Sequence, residues 1–182
     1  MSGKSSCISQ FGNSILLLAV LAILATAFIM QFTLNELPCP LCLLQRVGFV
    51  GIAFGFLLNI RFGARASHYA VVILSCLYTA AVGLRQVALH VVPNTGAYGS
   101  PIFGYHLYTL SFIAAAVFIF LTAILMSCDK QYEDLGARKC NPYANYLFIL
   151  AVIIIAANIV SAVFECGLSA ACPDDPVKYL LL

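Results

Sequence analysis

The chain has 182 residues, of which 63% are hydrophobic and only 9% charged, with a formal net charge of +2. A water-soluble domain uses roughly a quarter charged residues, so that class is excluded, and so small a charge without a dense basic run argues against a nucleic-acid partner. What remains is an integral membrane protein, read as a single domain over residues 1–182.

Five apolar runs follow one another: about 15–32, 41–60, 69–92, 107–126 and 146–164. Each is long enough to cross a bilayer as a helix, which takes about 20 residues. Backbone groups cannot stay unpaired in lipid, and the runs lack the alternation of barrel strands, so helices are expected. The predicted fold class is an all-α membrane bundle of five transmembrane helices, a four-helix core plus one. The first run follows Lys4 but is longer than a signal-peptide core and lacks a clear small-x-small cleavage site. It is expected to stay as an uncleaved helix.

Basic residues set the orientation. Lys4, Arg61, Arg65, Lys130, Arg138 and Lys139 fall on one side of the five runs, and only Lys178 falls on the other. The N-terminus is therefore expected in the cytoplasm and the C-terminus outside. Helix parity then sorts the cysteines. Cys39, Cys42, Cys166 and Cys172 share the outer side, Cys7, Cys128 and Cys140 the inner side, and Cys76 lies within the third run. Cytosolic thiols stay reduced, so the inner three and Cys76 are expected to be bystanders.

The most informative stretch runs from Asn35 to Arg46 and holds a CxxC, Cys39-Pro-Leu-Cys42, at the outer start of the second helix. Pro40 suits a first helical turn, where no N–H is needed. The helix N-terminus stabilises a thiolate there, which favours nucleophilic exchange. Arg46 lies four residues past Cys42, on the same face and one turn deeper. It is placed to stabilise a thiolate or to bond a ligand oxygen. Three other readings stand beside this one: half of a zinc site, a structural disulfide, and an arginine that snorkels to lipid headgroups. No second CxxC or suitably spaced histidine pair supports zinc, and no metal is expected.

Cys166 and Cys172 follow the fifth run in a segment broken by Gly167, Pro173 and Pro176. Their spacing lets the sulfurs meet in a small loop, either as a static disulfide or as a second redox pair. At about 3.3–3.6 Å per residue the segment can reach toward Cys39. Tyr98, Phe103, Tyr105 and Tyr108 suit an interfacial belt or a cover for a flat ligand. Gly48, Gly51 and Gly55 form a stripe suited to close helix packing. Asn158, Ser161 and Glu165 share a face of the fifth helix and suit interhelical hydrogen bonds, with proton handling beside Cys166 as a second option for Glu165.

The stretch from Pro38 to Arg46, then Leu84 to Pro93, Gly104 to Tyr108 and the tail from Glu165 to Asp174 together resemble the disulfide bond formation protein B (DsbB) family of bacterial inner-membrane proteins. The resemblance implies a protein-dithiol:quinone oxidoreductase. Such an enzyme reoxidises a periplasmic thioredoxin-like partner of the DsbA type and passes the electrons through Cys39 and Cys42 to a membrane quinone, ubiquinone or menaquinone. It also implies that Arg46 holds the quinone, with Gln86 and His90 near a further polar quinone contact. A partner of that type is itself a strong oxidant, so something more oxidising must drain it. Many family members carry their second cysteine pair in the loop after the third helix. Here that loop has none, and Cys166 and Cys172 are expected to substitute. A monomer is expected.

Two readings from other classes compete. One is a membrane cytochrome with His90 and His106 as haem ligands. The other is a structural membrane protein with static outer disulfides. A vitamin K epoxide reductase-like enzyme shares the CxxC chemistry but usually carries its CxxC late in the chain.

Overall fold

The computed structural model describes residues 2–34, 37–92, 99, 101–132, 143–167, 172 and 179–181, with only the backbone for residues 2–8 and 130. Tyr98, Cys140, Arg138, Lys139 and Lys178 lie outside the described residues, as does the side chain of Cys7.

The five helices are α1 (Ser2–Thr33), α2 (Pro40–Phe62), α3 (Ala66–His90), α4 (Leu107–Met126) and α5 (Ala144–Cys166), with a short 3-10 turn at Asp129–Tyr132. All five are long and apolar enough to cross a membrane. The fold is the all-α membrane bundle the composition demands. The largest difference from the apolar runs is at α1, which begins well before residue 15. Ser9, Gln10 and Asn13 extend it because their polar groups are buried and paired inside the bundle. Hydropathy alone reads such residues as loop.

Local chemistry sets the other ends. Cys39 caps α2 with an extended backbone, and Pro40 occupies the first turn. Gly63 closes α2 at φ 89°, with its N–H on the Asn59 carbonyl at 3.0 Å. This positive φ suits glycine, and it lets the chain turn into α3 within three residues. Gly167 ends α5 in the same way, at φ 70°.

Consecutive helices α1 to α4 pack as neighbours, and α5 lies against α1 and α2. The stripe Gly48, Gly51 and Gly55 packs α2 tightly on α3, since an added methyl group would run into Thr79, Ser75 and Val72. The core is built from Leu17, Val20, Leu24, Ile52, Phe56 and Val72. Large apolar side chains elsewhere point outward, as lipid requires, among them Phe54, Leu74, Phe120 and Ile153. Helices α1 and α4 converge at one end, where Gly12 meets Leu125. Their other halves instead face a cavity.

Candidate functional site

The cavity has a volume of about 600 Å³ and lies between α1, the start of α2 and α4. Its walls are mainly apolar, with Ile23, Met30, Phe49, Leu110, Val117 and Phe118 among them. Both CxxC cysteines open onto it, together with Gln31, Gln45, Arg46, Tyr108 and Ser111.

Cys39 and Cys42 are free thiols whose sulfurs lie 2.7 Å apart. The helix start creates this proximity. Cys39 is the N-cap residue, and its sulfur accepts the Cys42 backbone N–H at 3.3 Å. Cys39 is buried and Cys42 half-buried. The hydrogen bond to Cys42 and then burial push the Cys39 thiol well above the ordinary cysteine range. The two sulfurs share a hydrogen bond in which either can be the donor.

Gln86 sits over the pair. Its Nε2 donates to the Cys39 sulfur at 3.2 Å and to the Cys42 sulfur at 3.5 Å. Its Oε1 accepts from Gln45 Nε2 at 2.7 Å. Because an amide has one donor end and one acceptor end, Gln45 fixes the orientation that aims the Gln86 N–H groups at sulfur. Gln86 thus contacts the cysteines themselves and is not part of the cavity wall.

Arg46 turns inward and is held by α1. One guanidinium nitrogen donates to Gln31 Oε1 at 2.8 Å and the other to the Ala27 carbonyl at 3.0 Å. Cys42, Glu165 and Tyr179 lie within electrostatic range of the guanidinium. The side chain lines the cavity, which sets aside the snorkelling reading.

His90 is one turn beyond Gln86. Its Nδ1 bonds the Gln86 carbonyl at 2.8 Å, and its ring stacks on Tyr108 at 5.3 Å. The structure brings His90 to the back of a cavity residue and not to the cavity wall. The His106 ring stacks on Tyr108 as well, at 5.3 Å. The two imidazoles are thus engaged with one phenol ring and do not confront each other across an open space, as a haem would require. Of the aromatic set after α3, Tyr108 is buried, whereas Phe103 and Tyr105 are exposed. Arg85 is exposed.

Cys166 and Cys172 are joined in a disulfide. Cys39 and Cys42 are not joined in this way. Beside them Glu165 is buried, and Gln31 Nε2 donates to its Oε2 at 3.4 Å. Asn158 donates to the Leu24 carbonyl of α1 at 3.5 Å and to Ile154 at 2.9 Å. Three residues of this site escaped the sequence reading, Gln31, Gln45 and Ser111. Each is a polar side chain within an apolar run, which is itself a signal, because polar groups at membrane depth need partners.

A bundle of membrane-crossing helices with a vicinal thiol pair at a helix start, opening onto an apolar cavity, defines a polytopic membrane protein built around a reactive cysteine motif. The family described as "Disulfide bond formation protein DsbB" matches residues 9–99, half of the chain. The chain belongs to that family. It is similar to disulfide bond formation protein B of Xanthomonas euvesicatoria, at 41% identity over 76 residues, covering 41% of this chain and 44% of that protein. The Burkholderia pseudomallei protein of the same name is 42% identical over 85 residues, covering 45% and 49%. The one from Marinobacter nauticus is 36% identical over 89 residues, covering 47% and 53%. The chain matches about half the length of these curated relatives. No solved structure matches it. The matched part contains Cys39, Cys42, Arg46, Gln86 and His90, while α4, α5 and the tail cysteines lie beyond it.

Proposed function

We propose that this protein is a membrane thiol oxidase that makes disulfides outside the bacterial inner membrane. In this reading it oxidises a periplasmic thioredoxin-like protein of the DsbA type and discharges the electrons to a membrane quinone. The observation that carries the reading is the cavity, where a reduced CxxC at a helix N-terminus shares an apolar chamber with an arginine.

The residues fit a quinone. Ligand cavities commonly hold about 300–1,000 Å³, and this one lies in that range with apolar walls for a ring and tail. Arg46 and the Ser111 hydroxyl are donors suited to carbonyl oxygens. A bound quinone would supply a sink for two electrons and two protons.

The protein's own residues do the rest. The α2 N-terminus and Gln86 steady negative charge on the sulfurs. The apolar walls keep water from the pair. Outside, a partner dithiol exchanges with the Cys166–Cys172 disulfide, leaving the partner oxidised and the tail pair reduced. The tail dithiol in turn reduces an oxidised Cys39–Cys42 by a second exchange, so each step moves two electrons and two protons inward. The basic-residue distribution favours a cytoplasmic N-terminus and a periplasmic C-terminus.

The test is turnover of a benzoquinone by purified protein supplied with a reduced thioredoxin-like substrate. Turnover that depends on Cys42 supports the reading. Quinone reduction that is absent, or that persists fully in Cys42→Ser, contradicts it. A protein with static outer disulfides would also form no mixed disulfide with a partner when Cys172 is removed.

A further inference from the structure

Glu165 is the one charged side chain among the described residues that is fully buried, at 1% exposure. It stands on the last turn of α5, beyond the part of the chain matched to the family. A carboxylate at the edge of a membrane helix is costly and needs partners. Its neighbours lead to the cavity. Gln31 Nε2 donates to Glu165 Oε2 at 3.4 Å and to the Tyr179 hydroxyl at 3.1 Å, while Gln31 Oε1 accepts from Arg46 at 2.8 Å.

The direction of the Gln31 amide is the key. Two acceptors on its nitrogen side leave its oxygen for the guanidinium, which has donors only. Without the carboxylate only the Tyr179 hydroxyl remains on the nitrogen side, and because a hydroxyl can donate as well as accept, it no longer fixes which way the amide faces. In the flipped orientation Arg46 keeps only the Ala27 carbonyl. The tail supports the arrangement from outside. Leu180 N–H bonds the Glu165 carbonyl at 3.4 Å, Leu181 N–H bonds the Phe164 carbonyl at 3.2 Å, and the Tyr179 ring stacks on Phe32 at 6.2 Å.

We infer that Glu165 is a positioning residue for the quinone cavity: through Gln31 it sets where Arg46 stands on the wall, so the fifth helix completes a site it does not itself line. The inference rests on the quinone reading above.

The experiment measures equilibrium binding of a short-tailed benzoquinone to the purified full chain by calorimetry. It compares wild type, Glu165→Leu, Gln31→Leu and the double variant. Each single variant is expected to bind about tenfold more weakly, the usual consequence of losing a hydrogen bond to a charged group. The double variant is expected to be no weaker than either single one, because both break the same chain of bonds. Glu165→Gln, which keeps an acceptor, should fall between wild type and Glu165→Leu, and it carries the test if the leucine variant does not fold. Wild-type affinity in the single variants, or losses that multiply in the double variant, overturns the inference alone. A wild type that binds no benzoquinone overturns the quinone reading and the inference with it.

Discussion

The bundle has a polar cluster at each end, and the two, called inner and outer after the proposed orientation, are built differently. At the inner end Ser9, Asn13, Asn59, His68, Tyr69 and Gln131 bond one another. Asn13 donates to the Tyr69 hydroxyl at 2.8 Å, Asn59 to Asn13 at 3.0 Å, and Tyr69 to Gln131 at 3.0 Å. Asn59 also accepts the Arg65 backbone N–H at 3.2 Å, which ties the α2–α3 turn. None of these residues lines the cavity described above. At the outer end Gln31, Gln45, Arg46 and Gln86 are also bonded, but two free thiols and a cavity of about 600 Å³ lie among them. Buried polarity alone therefore does not mark a site in this protein. Buried polarity aimed at sulfur and open to an apolar chamber does.

Substitutions should separate the two ends. Cys42→Ser should remove quinone turnover by about a thousandfold or more, since no hydroxyl replaces a thiolate in exchange. A steady-state assay checks this. Gln86→Leu should slow turnover by about 10- to 100-fold, because both sulfurs lose a donor, and should also lower stability by about 1–3 kcal/mol, since it strands the buried Gln45 amide. Alkylation at neutral pH should label Cys42 at least about tenfold faster than Cys39, because a thiol with a raised pKa is less ionised. Peptide mapping over time would show the order. At the inner end Asn59→Leu should lower stability in detergent by about 1–3 kcal/mol, since it strands the partners of a buried amide. The protein that remains folded should turn over within about twofold of wild type. Cys128→Ser, at an exposed inner-end thiol, should change neither quantity measurably.

The two ends also differ in how far they can be read from sequence. The CxxC and Arg46 are legible because a short spacing on one helix fixes their common face. The five helices are legible because lipid forbids unpaired backbone. The inner cluster hides the true start of α1, since Ser9, Gln10 and Asn13 look like loop until Tyr69 and Asn59 meet them. The link Arg46–Gln31–Glu165 joins three helices far apart in sequence, and no local pattern announces such a contact. His90 shows the converse. It lies near the expected quinone contact along the chain, yet its ring turns onto Tyr108.

The central claim is that the outer thiols deliver electrons to a ligand in the cavity. Its most direct test starts from protein whose CxxC is reduced, held without oxygen and given one equivalent of benzoquinone. The remaining free thiols are then mapped by mass spectrometry. The account predicts loss of the quinone absorbance together with a new Cys39–Cys42 disulfide, and both effects should be absent in Cys42→Ser. Quinone that persists while Cys39 and Cys42 stay free, or that disappears with a different cysteine pair oxidised, would contradict it.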